Sequence, residues 1–362
     1  GPLDMVGEMS LWRYLAKRLL LMIPTLLGVV TLTFCVIQFV PGGPVEQMLT
    51  ELRHAQTRGG EAAASGSASG LYKGAQGLDE ERIKEIKALY GFDKPVLERY
   101  VMMLKRFAVF DLGESYYQHK SVWDLIKSKL PVSISLGLWT FLLTYLISVP
   151  LGIAKAVRAG SRFDTLTSLV VLTGYAIPGF VLGVALLVLF GGGSFVQWFP
   201  LRGLTSDNWE QLSLMGKVMD YLWHLVLPIT AEVVGSFAII TMLTKNAFLE
   251  EIRKQYVLTA RAKGLDERSV LLKHVFRNAL IPLVTGFPAA FVGAFFTGSL
   301  LIETLFSLDG LGLLSYESVI RRDFPVVLGS LYLFTLIGLV TKLISDVCYV
   351  WVDPRINFDA ME

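Results

Sequence analysis

Chemistry done by a chain itself needs reactive side chains at short spacing, and the familiar sets are missing from this one. No G-x-x-x-x-G-K-[ST] phosphate loop occurs, so ATP is not bound in the P-loop manner. There is no H-E-x-x-H pair and no Cys/His cluster at zinc spacing, and no G-x-S-x-G elbow. The histidines His54, His119, His224 and His274 are scattered and read as surface or interface residues. Cys35 and Cys348 fall in separate apolar runs and read as buried packing thiols, neither a disulfide nor a metal site. We therefore expect no catalytic residue, no metal and no cofactor in this chain. One acid is out of place: Glu232 lies about midway along the apolar run Leu222–Thr244. A charge at mid-helix costs about 2.5–3.5 kcal/mol on insertion scales. It must face a cavity or a partner, or be protonated. Two readings stay open: a polar contact lining a path through the membrane, or a neutral acid bonded to a neighbouring helix. Lys342 is nearer the end of its run and can reach the headgroups.

A second stretch carries charge: YVLTARAKGLDERSVLLKHVFRNALIPL, from Tyr256 to Leu283. Local propensity favours helix on both sides of Gly264, which separates them. Asp266 suits the cap of the second helix. Leu271, Val275 and Ala279 recur at i, i+4, i+8, with Leu272 and Phe276 beside them and Lys273 and Arg277 opposite. Two short helices meeting at a glycine make an elbow. A solvated loop explains the charge, but it leaves the apolar stripe uncovered, and a stripe of that kind has to be covered by something.

The elements that hold these residues are dictated by composition. The chain has 362 residues, 53% hydrophobic and only 18% charged, with a mean hydropathy of +0.54. Soluble domains carry about a quarter charged residues. The formal net charge of +2 makes no case for nucleic acid. Six runs reach the ~20 apolar residues that a crossing helix needs: Leu19–Val40, Val132–Ala156, Thr165–Phe190, Leu222–Thr244, Leu280–Ile302 and Val326–Val350. The first, at 22 residues, reads as a retained span rather than a cleaved signal. With the N-terminus inside, inner segments hold 15 Lys/Arg against 4 in the two short outer loops, which places both termini in the cytoplasm. Trp12 and Trp351 mark inner boundaries and Trp198 and Trp223 outer ones, while Trp139 falls too deep for the belt. Pro24, Gly174 with Pro178-Gly179, Pro228 and Pro288 interrupt four spans. Each is a packing kink or part of a pathway, and Tyr175, Pro178 and Glu232 are the candidate lining. Gly183, Gly235, Gly293 and Gly298 would allow close helix approach.

The expected fold is all-α, a six-helix membrane protein with an external insertion. Residues 1–10 form a tag scar (GPLD) and tail, 11–40 the first span, 41–130 the insertion with a flexible Gly/Ala/Ser-rich stretch at 59–77, and 131–352 the core with its inner loop at 246–279. A cytoplasmic tail covers 353–362. Within the insertion, Asp79 suits the cap of a helix stopped by Gly91 and Pro95, and a second helix covers Leu97–Phe107. This insertion is either an inert external cap or a docking surface.

Beyond these readings, TARAKGL followed by HVFRNALIPL resembles the EAA loop of permease subunits of binding-protein-dependent ABC importers. Ala260, Ala262, Gly264 and Ile281-Pro282 hold the marking places, and Thr259 stands near where the family's leading acid would be. PGGP (Pro41–Pro44), YGFDKP, FDLGES, LPVSISLGL, YAIPGF, GSLLIETLFSLDGLG (Gly298–Gly312), RDFP and DPRI are similar to the B-type permeases of oligopeptide/dipeptide importers, the Yej-type (microcin C/oligopeptide) branch among them. The resemblance implies the type I importer permease (MetI-like) fold and import of oligopeptides or peptide-like compounds by alternating access. It implies a second homologous permease, cytoplasmic ABC ATPase subunits that hold ATP and Mg, and an external peptide-binding protein. The ATPase-coupling loop would comprise Tyr256, Thr259, Ala260, Arg261, Ala262, Lys263, Gly264, Leu265, His274, Arg277, Asn278 and Pro282. Gly298, Glu303, Phe306, Gly310, Gly312 and Asp323 would form the external gate and binding-protein contact. The rival is a secondary transporter or channel driven by an ion gradient, which usually carries internal repeats; no such repeat is visible here.

Overall fold

A computed structural model describes residues 2–43, 45–46, 49–50, 53–54, 80–89, 91–192, 194–296 and 299–352. The stretch 59–77, Asp79, Gly298 and the tail 353–362 lie outside these residues. Among the described residues there are helices and two isolated bridges. The helices are α1 (Pro2–Gln38), α2 (80–89), α3 (Val96–Ala108), α4 (Val122–Val157), α5 (Arg162–Ala176), α6 (Gly179–Phe190), α7 (Leu214–Ile252) and α8 (Gln255–Ala262). They continue with α9 (Glu267–Ala279), α10 (Ile281–Phe296), α11 (Leu300–Leu305), α12 (Leu311–Ile320) and α13 (Phe324–Val352).

Among the described residues, four helices are long and apolar enough to cross a membrane: Met9–Gln38 of α1, α4, α7 and Phe324–Trp351 of α13. Two more crossings exist if bent pairs count: α5 with α6, bent by 91°, and α9 with α10, bent by 53°. The run expected as the third span is thus broken. The residue before a proline is pushed out of the helical region, and Ile177, before Pro178, is extended at φ −80°, ψ 121°. The run expected as the fifth span is also divided, since α10 ends at Phe296 and α11 starts at Leu300. Pro24, Pro228 and Pro288 lie inside continuous helices. Of the glycines, Gly183 does mark a close approach: a Cβ there would sit 2.7 Å from Leu305 Cδ2. Gly293 has nothing within 4 Å, and Gly235 only a contact at 3.9 Å, so neither sets an approach distance.

The described chain divides into two compact units. One comprises 1–20, 129–314 and 337–362. Its apolar core is built from Leu136 of α4, Leu225, Leu227, Ile229, Ala231 and Val233 of α7, Ile302 of α11, Phe306 and Leu308. Trp139 is accounted for here, because its indole N–H donates to Tyr221 Oη at 3.1 Å and Tyr221 donates on to Ser135 at 2.7 Å. Its polar edge is satisfied by protein, so it needs no headgroup. Trp223 stacks on Phe199 at 4.3 Å and donates to the Trp198 carbonyl at 2.9 Å. Near the chain ends, Asp346 accepts from Tyr14 at 2.9 Å and Arg18 at 2.7 Å. His224 is buried, its Nδ1 2.7 Å from the Asp220 carbonyl, so it is a packed histidine rather than a surface one.

The second unit comprises 21–128 and 315–336. The described part of the insertion therefore packs with the far half of α1 and the start of α13. Phe107 stacks on Tyr332 at 4.8 Å, and the Tyr332 hydroxyl donates to the Phe107 carbonyl at 3.0 Å. Thr31 and Tyr100 share a 2.5 Å hydrogen bond. The helix expected over Leu97–Phe107 is α3, one residue longer at each end. Cys35 is exposed and Cys348 half-buried, so the expectation of two buried thiols fails: α1 turns Cys35 to its outer face.

One polar cluster inside the first unit has no counterpart in the hydropathy pattern. Lys155, near the end of α4, is fully buried. Its ammonium donates to the Asp164 carbonyl (2.7 Å), Thr167 (2.8 Å) and Ser168 (2.6 Å) of α5, and it pairs with Asp164 Oδ1 at 3.1 Å. Asp164 Oδ2 accepts from Lys245 of α7 at 2.9 Å and from Gly160 N at 3.0 Å. Ser161 caps α5 by accepting from Asp164 N at 3.3 Å. Two cations therefore share one carboxylate at the ends of three helices. Removing one partner of a buried pair costs about 3–5 kcal/mol, because the other charge is left uncompensated. We predict that Asp164→Asn lowers stability by about 3 kcal/mol, read as an earlier thermal unfolding transition of the purified protein. An unchanged transition would show that the cluster is not holding the helix ends.

Candidate functional site

The charged stretch folds as the expected elbow. Helix α8 ends as Lys263 N donates to the Thr259 carbonyl at 3.1 Å. Gly264 follows at φ +83°, a left-handed conformation that a glycine adopts without steric cost. Asp266 then caps α9, accepting from Ser269 N at 3.1 Å. Those bonds from Ser269 hold the Asp266 carboxyl below its ordinary range. Arg261 and Glu267 pair across the bend at 3.0 Å.

The apolar stripe differs from the expected one in register. Val270–Val275 is a π-helical segment, which closes i→i+5 turns. The buried positions are therefore Val270, Val275 and Ala279, while Leu271 is only half-buried and Leu272 is 56% exposed. What covers the stripe is this chain itself. Ala156 of α4, Phe248 of α7, and Val257 and Ala260 of α8 close one core with it, and the Phe248 and Phe276 rings lie 5.8 Å apart. A partner is therefore not needed to cover it. The apolar side chains left open are Leu258, Leu265 and Leu272, at 62%, 40% and 56% exposure.

Of the expected coupling residues, Ala260 is buried and Tyr256, His274 and Asn278 are half-buried. Thr259, Arg261, Ala262, Lys263, Gly264, Leu265, Arg277 and Pro282 are exposed. Tyr256 ties the elbow to α7: its hydroxyl donates to Glu251 at 2.5 Å and lies 3.3 Å from the His274 carbonyl. Burial, reinforced by the Glu251 carboxylate, pushes the Tyr256 phenol up to about 12.

A second constellation lies between α4, α7 and α11. A cavity of about 250 Å³ is bounded by Ser133, Thr140, Thr144 and Tyr145 of α4, Glu232 of α7, Ser299, and Glu303 of α11. Glu232 accepts from Thr140 Oγ1 at 2.9 Å, so it both faces a cavity and bonds to a neighbouring helix. Tyr175 and Pro178, expected beside it, are exposed and are not among the residues around the cavity. The backbone on either side of them lies against α7, since a Cβ at Gly174 or Gly179 would come within 3.0 Å of the Val234 or Ala231 carbonyl.

The expected gate residues are divided between the two units. Glu303 and Phe306 are buried in the first unit, Gly310 is buried and Gly312 half-buried. Asp323 is buried in the second, accepting from Tyr116 N at 3.0 Å and from the Ser115 hydroxyl. Burial pushes the Asp323 carboxyl above its ordinary value against those bonds. Glu303, Phe306, Gly310 and Asp323 are thus enclosed by their own chain, while Gly312 keeps partial exposure. Lys155, Asp164 and Lys245 went unread as a site. Their signal was an acid nine residues after a lysine across a Gly-Ser turn, with a second lysine ending a span.

The family described as "Binding-protein-dependent transport system inner membrane component" matches residues 148–358. The chain is 53% identical over 361 residues to the peptidoglycan transport system permease protein YejB of Agrobacterium fabrum, covering 96% of this chain and 98% of that one. It is 53% identical over 359 residues to the inner membrane ABC transporter permease protein YejB of Escherichia coli O157:H7, covering 96% and 99%. It is 33% identical over 359 residues to the di/tripeptide transport system permease protein DppB of Pseudomonas aeruginosa, covering 95% and 98%. The chain belongs to this family of binding-protein-dependent transport permeases. It is a multi-pass inner-membrane subunit of a transporter.

Tyr256→Phe removes one bond between α7 and the elbow and leaves the half-buried Glu251 short of a donor. A hydrogen bond to a charged group is worth about 1.5–3 kcal/mol. We predict that amide exchange over α8 and α9 accelerates at least about tenfold in this variant, with the rest of the chain unaffected. Equal exchange would place the elbow's stability elsewhere. In the unchanged protein, the contribution of this hydroxyl is complete below the unfolded tyrosine value of about 10 and is lost as pH rises through about 12.

Proposed function

We propose that this chain is the permease subunit of an ATP-driven importer of oligopeptides or peptide-like compounds, a class that includes microcin C. The observation that carries the proposal is the elbow. It is a folded element seated by its own core on the ends of α4 and α7, so a push on it reaches both helices. It leaves Leu258, Leu265 and Leu272 open among Arg261, Lys263 and Arg277, a mixed apolar and basic surface suited to a protein groove. With no phosphate loop in the chain, ATP and Mg belong to partner ATPase subunits, and the elbow, from Tyr256 to Pro282, is where they dock.

Peptide cargo is supported by the relatives, whose descriptions speak of peptidoglycan and di/tripeptide transport. A second homologous permease completes the pathway, and an external peptide-binding protein delivers the solute. The Lys/Arg asymmetry supports cytoplasmic N- and C-termini. Transport is alternating access: ATP shifts a two-state equilibrium through its different affinity for the two states. Gly298, Glu303, Phe306, Gly310 and Gly312, and separately Asp323, are the residues assigned to the external gate and the binding-protein contact.

Leu258→Asp and Leu265→Asp place a charge on exposed positions that the chain's own fold does not use. We predict membrane levels equal to the unchanged protein and peptide uptake lower by at least about tenfold, the size of a lost buried apolar anchor. Unchanged uptake in both variants would contradict the docking assignment. Uptake that survives removal of ATP but follows an ion gradient would favour the secondary-transporter reading instead.

A further inference from the structure

We propose that the cavity between α4, α7 and α11 binds the primary ammonium group of the transported solute, with Glu303 and Glu232 as its counter-charges. The inference rests on the importer reading above and names the chemistry that the pathway recognises. Glu303 is fully buried, and neither carboxylate oxygen has a hydrogen-bond partner among the described residues. The backbone N–H groups of Gly312 and Leu313 lie nearby without reaching hydrogen-bond geometry. Buried polar groups in native proteins are nearly always partnered, so a carboxyl left open toward a cavity calls for a donor from outside the chain. The position is also built. At Gly310 a Cβ would collide with the Glu303 carboxyl, so the chain reserves that space for the acid.

The remaining lining fixes which donor fits. Glu232 enters the same cavity from α7, within electrostatic reach of Glu303. Two like charges on one cavity destabilise each other, and one cation between them relieves both. Ser133, Thr140 and Ser299 add hydroxyl oxygens, and among the described residues no basic side chain lines the space. Lys129 is already paired with Asp309. A primary ammonium carries three donors and no acceptor, which complements such a lining. Phe141 and Tyr145, with ring centroids 4.6 Å apart, also line the cavity. Aromatic faces attract organic cations. A bare metal ion fits less well. No group of three or more His, Cys, Asp or Glu that could hold one occurs among the described residues, and about 250 Å³ is far more room than one ion fills. A peptide offers this group as its α-amine or as a lysine side chain.

The test uses the assembled importer with its ATPases and second permease. First, the melting temperature of the intact complex is measured without binding protein in trialanine, N-acetyl-trialanine, N-acetyl-Ala-Lys-Ala or sodium chloride of matched ionic strength. Trialanine should raise it and N-acetyl-trialanine and sodium chloride should not. A rise with N-acetyl-Ala-Lys-Ala assigns the site to any primary ammonium, and its absence to the α-amine alone. Equal shifts from trialanine and its acetyl form, a shift from sodium, or no shift with any amine overturns the proposal. Second, uptake into proteoliposomes is compared for trialanine and N-acetyl-trialanine, both at saturating binding protein. The unchanged complex should favour the free amine at least about tenfold, the size of one charge-assisted bond. Glu303→Gln and Glu232→Gln, isosteric and co-purifying with all subunits, should bring the ratio toward unity. A ratio unmoved by either variant, or loss of both peptides alike, overturns the site. If the unchanged complex takes up neither peptide, the peptide-importer reading fails; if it takes up both equally, only the ammonium site does.

Discussion

Lys155 holds its ammonium where no solvent reaches, and it can do so only because Asp164 and the hydroxyls of Thr167 and Ser168 surround it. An isolated buried charge would cost far more than the fold could supply. Asp164 in turn takes Lys245 on its other oxygen, so the ends of α4, α5 and α7 are fixed by one carboxylate. The next residue after Lys155 is Ala156, and Phe248 follows Lys245 by three. Both belong to the core that seats the elbow. The ion cluster and the elbow's floor therefore share the same helix ends, and the elbow has a defined place only while the cluster is intact.

From that floor, α7 runs on as a single helix of 39 residues. Glu232 lies sixteen residues before Phe248 on it, about 24 Å at the helical rise. One rod thus connects the elbow core to the carboxylate cavity, and α4 makes a parallel connection from Ala156 to Thr140 and Ser133. The bends lie beside these rods rather than in them. The pairs α5–α6 and α9–α10 turn by 91° and 53°, while α4 and α7 continue through Pro131, Pro150 and Pro228.

Much of this was legible in the residues. The apolar runs are long, so their existence follows from the number of residues a bilayer needs. The elbow was readable because Gly264 and Asp266 act locally, through a left-handed turn and a cap. The register of the stripe was not, because a π segment leaves no mark in a pattern read at 3.6 residues per turn. Lys155 and Lys245 fall among the inner Lys/Arg and nothing in the pattern sets them apart; the enclosure of Lys155 depends on Asp164, which the packing of α5 against α4 and α7 brings to both. Glu232 was conspicuous for its depth. Glu303, at the edge of a run, was not, and its enclosure depends on Gly310 leaving room.

We propose that the elbow is where an ATP-binding partner grips this chain. A photo-crosslinking amino acid at Leu265, in the whole complex in native membranes, tests it most directly. The account predicts that irradiation joins this chain to an ATPase subunit, identified by mass spectrometry. Crosslinks only to lipid or to this chain itself, from a complex that still hydrolyses ATP and imports peptide, would contradict it.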